Sequence, residues 1–574
     1  VRLDPDNDER VRGDIQRFIA NSVQKLESIQ GFNDICKSVE TALLSRAQGT
    51  FLWIGFVMEE LSRKKTCTEI LEALDDIPVG LHAIYDRMLL QIESSRQPVI
   101  LEILQWVTIA VRPLTLRELT TAIRIPSTTE ISSNQAIRDY ITLCGHILTI
   151  QNQRVSLIHQ SARDYLLQEK VNNGPKPKEF RIKAEEAHAR MARICLDYIE
   201  KSDFRYEPVD INDESVLQKS PLLHYASMHW PEHARRSLYA DKDINLSRPF
   251  FQEKSNVRMH WWETYAKANS IRWLLSIVHL LHIVSYLGID SMVWKLLTTN
   301  AWHFSLRKPV NQKDERGETA LSLAAEGGHE TTVQLLLAHG ADANDYRALW
   351  WAAEGGHEAI IQLLLANGAD GKDIVLRIAA YRGNEAIVQL LITNGVNVNA
   401  MDISGMTALK QAAGRGHEPV VRLLIENGAE VNADGFLNNT ALSKAAEGGH
   451  EAIVQLLLAN GADINDYKAL SKAAEGGREA IIELLLANGA NVNIKDKYGR
   501  TALSEAAKRG HKAVAQLLLN INAEDEGSED SYIGLRLIAS GGPFYFILIY
   551  ICLYACIYAS TACEVSNIVD TCGC

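Results

Sequence analysis

Apolar residues recur at helical spacing along most of this chain. Near the start, Ile15, Phe18 and Ile19 share one helix face, and Phe51, Leu52 and Trp53 run into Val57, Met58 and Leu61. Leu81, Ile84, Tyr85, Met88 and Leu89 form a third stripe, so helices with a shared core are expected over residues 1–100. A further helix is expected from Val99 to Ala110, after which Pro113 and Thr115 can open the next one. The period then changes. Ile147 to Ile150 and Val155 to His159 alternate or run apolar around Gln151-Asn152-Gln153-Arg154, which predicts a β-hairpin before a helix near Ser161. Helices followed by a hairpin predict a small winged-helix domain over 101–170, and a Lys- and Glu-rich stretch leads from it into a helical connector over 171–270.

From Leu321 to Asn522 a single unit repeats: an Ala-Leu pair, a Gly seven residues after the Leu, and a second Gly twelve further on. The Leu falls at 321, 349, 376, 409, 442, 470 and 503, with Val375 in place of the Ala in the third copy. Asn522 replaces the second Gly of the last copy and is the next residue type able to take a left-handed backbone. Leu442, Ala445 and Ala446, then Ile453, Val454 and Leu456 to Leu458, make two short helices per unit. One such pair cannot bury its apolar face; seven stacked pairs can. The wording from Gly317 to His329 resembles the ankyrin repeat, which implies a mainly α solenoid. The Leu-to-Leu intervals are 28, 27, 33, 33, 28 and 33 residues, against ~33 for an ankyrin unit. At the short junctions the finger segment is skipped, Asp345 and Asp466 can cap the next helix directly, and the edge should be notched. Leu281, Gly288 and Asn300 repeat the spacing and predict a degenerate eighth unit, so the array is expected over 271–524.

Several phrases in the first 240 residues resemble fungal NACHT-type signalling NTPases: Ala47 to Trp53, Ile77 to Leu81, Tyr85 to Leu89 and Leu157 to Leu166. Pro221 to His233, with Leu223, Tyr225-Ala226 and Trp230, resembles NACHT-ankyrin proteins in the same way. The resemblance implies the remainder of a NACHT module, a winged helix and a sensor array, with fungal self/non-self or effector recognition as the activity. It also implies a role for His159, placed where related NTPases have a histidine that contacts the phosphate of bound ADP. The bland alternative is that His159 orients the strand end.

A net charge of −12 argues against a general nucleic-acid binder. A phosphate loop needs Gly-x4-Gly-Lys-Ser/Thr, and no such sequence occurs. No enzyme activity and no cofactor are therefore expected of this chain, and ATP or ADP could enter only with an upstream NACHT NTPase core as partner. Opening on Val1 in mid-domain, the sequence is expected to be a fragment. Cys36, Cys67, Cys144 and Cys195 read as buried thiols of a reducing compartment, hence a cytoplasmic protein. The tail, 525–574, is an acidic linker followed by an uncharged apolar run, 541–563, long enough to span a membrane. A membrane anchor and a misread frame both fit it.

The site expectation is a protein ligand on the concave face. Two residues past the first six Leu markers stand Leu323, Trp351, Ile378, Gln411, Lys444 and Lys472, and Glu505 past the seventh; the first six, with Trp350, Arg377, Tyr381, Arg382, Lys410 and Arg415, form the candidate surface. Either the tryptophans anchor a ligand or they fill the gap left by missing fingers. Two other functions stay open: a membrane-tethered scaffold without switching, and an active NTPase whose core precedes Val1.

Overall fold

A computed structural model describes residues 9–47, 50–125, 132–167, 178–237, 245–252, 254–271, 279–298, 309–434, 439–495 and 499–524. The apolar run 541–563 and Asn300 lie outside the described residues. No helix among the described residues is long and apolar enough to cross a membrane. The chain divides near Ala320 into two compact units, taken in turn.

In the first unit the expected stripes become the helices Glu9–Val23, Phe32–Arg46, Phe51–Leu61, Cys67–Asp76 and Gly80–Leu90. Ile15, Ile19, Val39, Leu43, Trp53 and Ile54 make their core. Burying an indole requires a partner for its N–H, and that of Trp53 donates to the Pro78 carbonyl at 3.1 Å. Cys144 and Cys195 are buried free thiols as expected, whereas Cys36 and Cys67 are half-exposed. Both of these sit on helices, Phe32–Arg46 and Cys67–Asp76, whose buried stripes are carried by other residues.

The winged helix follows the predicted order. The helices Gln97–Ile109, Leu116–Ile123 and Ser133–Leu143 precede the hairpin, and Gln160–Leu167 follows it. Its strands β1 (Leu114–Thr115), β2 (Leu148–Gln151) and β3 (Arg154–Leu157) are antiparallel in the order β1-β3-β2. Asn152 and Gln153 both take positive φ, 48° and 61°, the backbone of a two-residue hairpin turn matched to strand twist. Thr115 opens the next helix with a capping box to Glu118, whose carboxylate also receives both ends of the Arg112 guanidinium, at 2.6 and 3.0 Å. The hydroxyl of Tyr85 bonds Ser161 (3.0 Å) and that of Tyr165 donates to Asp86 (2.6 Å), so the helix Gly80–Leu90 is tied to the last helix of this domain.

Behind it the connector helices Ala184–Lys201 and Leu223–Arg235 enclose a buried polar chain. The Val111 N–H donates to the Tyr225 hydroxyl (3.1 Å), which bonds His233 Nε2 (2.8 Å), and His233 Nδ1 bonds His188 Nδ1 (2.8 Å). Burial, reinforced for His188 by the positive charge of Arg236, depresses both imidazoles, His188 to about 4 and His233 to about 3.

The second unit is a succession of helix pairs, beginning with Ala320–Glu326 and Glu330–Ala338 and ending with Ala502–Arg509 and Lys512–Glu524. Every marker glycine takes the left-handed backbone, from Gly328 (φ 71°) to Gly510 (φ 80°). The last helix continues through Asn522 to Glu524. Asparagine is thus helical there rather than a left-handed cap, in keeping with its lower cost than Gly inside a helix. At the short junctions Asp345 and Asp466 accept from the N–H of Arg347 (3.1 Å) and Lys468 (3.0 Å), capping the helices as the spacing predicts.

Neighbouring repeats are locked by histidines that follow the first marker glycine. His357, His417, His450 and His511 direct Nε2 at the carbonyls of Glu326, Tyr381, Gly414 and Glu475, at 3.3, 3.0, 3.3 and 2.9 Å. Asn399 and Asn432 make a second lock, each donating to a marker-glycine carbonyl (Gly428 and Gly461) and accepting from the N–H of Glu430 and Asp463.

Candidate protein-binding face

The candidate surface is the open row of the first helices, because alternate faces of each helix are consumed by stacking. Within Tyr346–Gly355, Ala348, Leu349, Ala352 and Ala353 are buried, leaving Trp350 and Trp351 half-buried on the remaining arc. The two indoles pack edge to face, with centroids 4.5 Å apart. In the next repeat Arg377, Ile378 and Tyr381 are half-buried and Arg382 is exposed. Arg382 pairs with Glu354 of the repeat before it. The Arg415 guanidinium lies over the Tyr381 ring, 4.0 Å from its centroid, and bonds its hydroxyl. Gln411 is half-buried beside this pair in sequence.

Farther along, the row is a chain of alternating charge. Lys444 bonds Glu447 (3.0 Å), Lys472 bonds Glu447 (3.2 Å) and Glu475 (2.8 Å), and Arg509 bonds Glu475. Burial works against the charge on Glu447, but the Lys444 and Lys472 ammoniums outweigh it and hold the carboxyl below its usual range. Lys472 is raised for the converse reason: its bonds to Glu475 and Glu447 overcome desolvation.

Two expected site residues are not on this surface. Leu323 is fully buried and serves the stack. Lys410 is 1% exposed; its ammonium is spent on the Gly405 carbonyl at 2.8 Å, where it braces the turn before its own helix. His159, the winged-helix candidate, is exposed, and its Nδ1 accepts from the Ser161 N–H (3.2 Å) and faces the Ser161 hydroxyl (2.9 Å). That geometry needs Nδ1 unprotonated and makes His159 the side chain that closes the start of the helix Gln160–Leu167.

Sequence reading missed the cross-repeat carboxylates Glu354, Glu447 and Glu475 as partners. Their spacing of five residues past the Leu was the signal, since the cations that meet them stand two or six past it in the same or the next copy.

Comparison with known proteins agrees with this architecture. Residues 281–374 and 376–468 match ankyrin repeats (3 copies), and 470–519 match ankyrin repeats (many copies). Residues 85–182 match the winged helix domain of GPI inositol-deacylase. The azaphilone pigments biosynthesis cluster protein L of Monascus ruber is 26% identical over 47% of this chain and 61% of its own length. The vegetative incompatibility protein HET-E-1 of Podospora anserina is 32% identical over 31% of this chain and 13% of its own length. The chain thus spans less than two thirds of these relatives. Its ankyrin repeats are a protein–protein interaction region without catalytic function. Ankyrin repeats following a winged helix of the GPI inositol-deacylase type, with these fungal relatives, are consistent with the C-terminal portion of a fungal NACHT-ankyrin protein.

Proposed function

We propose that this chain is the recognition half of a NACHT-type signal-transduction protein, in which the groove of the early ankyrin repeats binds a protein ligand. The winged helix then passes engagement to an NTPase core elsewhere in the longer protein. The observation that carries the reading is the state of the aromatic row. Trp350, Trp351 and Tyr381 remain half-exposed while the Ala and Leu positions of the same helices are fully buried. A helix that served stacking alone has no use for indoles on its open arc, whereas partly exposed aromatics are the usual anchors of binding surfaces. The likeness to a vegetative incompatibility protein supports self/non-self or effector sensing as the biological setting. On this reading the chain works in the cytoplasm and holds no nucleotide by itself. His159 would report nucleotide state only once a phosphate-binding core faces it.

The test is a pair of single substitutions in the tagged full chain, expressed in a fungal host. Trp351→Ala or Tyr381→Ala should reduce partner retention by about 2 kcal/mol, or roughly thirtyfold, at an unchanged unfolding midpoint. An unfolding midpoint lowered by about 3 kcal/mol with retention per folded molecule unchanged would make these residues gap-fillers and overturn the proposal.

A further inference from the structure

Resting on that reading, we propose that repeats two to four dock an acidic peptide segment bearing large apolar side chains. Its carboxylates would lie on the groove side and its apolar groups along the notched edge. Two independent observations converge on these repeats.

The first is apolar exposure. Among the described residues of the second unit, the large hydrophobics that stand in solvent are Tyr346 (60%), Ile374 (43%), Met401 (45%) and Ile403 (105%). Tyr346 and Ile374 stand in the first turn of the helices Tyr346–Gly355 and Lys372–Arg382, and Met401 and Ile403 in the loop before Ala408–Arg415, so all four lie at the starts of three successive first helices. A missing finger does not by itself expose such residues. At the other short junction that skips its finger in the same way, the equivalent Tyr467 is half-buried. The exposure is therefore particular to repeats two to four. Isolated apolar residues on a surface need no explanation, but exposure that recurs through three successive repeats points to a contact.

The second observation is charge. In the later repeats each cation of the row meets a carboxylate: Lys444 with Glu447, Lys472 with Glu447 and Glu475, and Arg509 with Glu475. In the early repeats Arg382 meets Glu354 in the same way, but Arg415 lies over the Tyr381 ring and makes no ion pair among the described residues. Arg377 makes no ion pair among the described residues; Asp402, on which its charge acts at a distance, is already tied to the N–H groups of Ser404 and Met406. Asp342 and Asp345 are likewise taken up by N–H groups of their own turns. Asp370 and Asp373 flank Lys372 on the edge itself, which is why the partner's acidic groups belong beside Arg377 and Arg415 rather than over the loops. Guanidiniums without a carboxylate suit bidentate carboxylate recognition.

The experiment is a selection of random twelve-residue displayed peptides on the full chain, with fluorescence anisotropy on the enriched sequences. Peptides combining Asp or Glu with Trp, Phe, Leu or Ile are expected. Their affinity should fall tenfold or more in the Arg377→Glu, Arg415→Glu double variant, and also as salt rises from 50 to 500 mM, but not in Lys444→Glu. Ile403→Asp, at a side chain too exposed to matter for folding, should weaken them severalfold. Enriched peptides that are neutral or basic, or that bind the double variant as tightly as the parent, overturn the partner assignment. If those peptides are still lost on Trp351→Ala, the groove reading survives without it. Enrichment of no peptide sensitive to any of these changes counts against both.

Discussion

Replacing Gly383 with Ala tests whether the histidine locks determine the glycine positions. Gly383 has φ 74° and Gly395 has φ 71°, so an alanine at either position carries the same left-handed backbone strain, about 1–2 kcal/mol. Their surroundings differ. A Cβ on Gly395 meets nothing within 4 Å, whereas one on Gly383 overlaps the His417 imidazole, 2.7 Å from its Cε1. Relieving the overlap moves the ring and breaks its 3.0 Å bond to the Tyr381 carbonyl. The bond is worth about 1 kcal/mol, and overpacking adds about 1–3 kcal/mol. Gly383→Ala should therefore cost about 3–6 kcal/mol and Gly395→Ala about 1–2 kcal/mol. With His417→Ala as background, the Gly383→Ala cost should shrink to the backbone strain alone, a coupling of about 2–4 kcal/mol. Urea unfolding of the full chain, read by hydrogen exchange over residues 376–424, gives the local stability for each of the four forms of the cycle. Equal costs for Gly383→Ala in the two backgrounds, or equal costs at the two glycines, would refute the reasoning.

The aspartates at the short junctions cap their helices alike, and Asp345→Ala or Asp466→Ala is expected to cost at least about 1 kcal/mol in thermal or urea melts. For Asp466 the bond it accepts from the Thr440 hydroxyl across the repeat boundary adds about 1 kcal/mol to the loss of the cap alone. Acid should loosen the connector. His188 and His233 have folded pKa values of about 4 and 3, below the free value of ~6.5, so the unfolded chain binds the extra protons. Stability is then full above pH ~6.5 and falls by up to about 2–3 kcal/mol per pH unit toward pH 4; a flat profile of connector hydrogen exchange over that range would contradict this. Calorimetry should detect no micromolar binding of ATP or GTP to the full chain, since no Gly-x4-Gly-Lys-Ser/Thr sequence is present.

The helix pairs were legible because each carries three local signals at once: an Ala pair, a left-handed Gly and an apolar second helix. The hairpin was legible because Asn152 and Gln153 interrupt an apolar alternation with a turn they can adopt. The site was legible only in part. Spacing places Leu323 and Lys410 among the groove candidates, but whether a given arc of a helix stays open depends on what stacks over it, and one repeat does not encode that. Lys410 illustrates the point: its ammonium is drawn to a backbone carbonyl five residues earlier, a contact that no periodicity foretells. The charge ladder escaped for the same reason, since Arg382 and Arg509 reach carboxylates in the preceding repeat. Sequence shows the charges, and the superposition of one repeat on the next decides which of them meet.

The central claim, that recognition takes place on the open row of the early repeats, is most directly tested by site-specific photo-crosslinking in a fungal host. A benzophenone amino acid placed at position 378, on the groove, is compared with one at position 389, on the exposed arc of the helix Glu385–Thr393. A discrete protein adduct formed from position 378, lost on Tyr381→Ala and absent from position 389, is the predicted result. An adduct formed from position 389 alone, or equally from both positions, would contradict it.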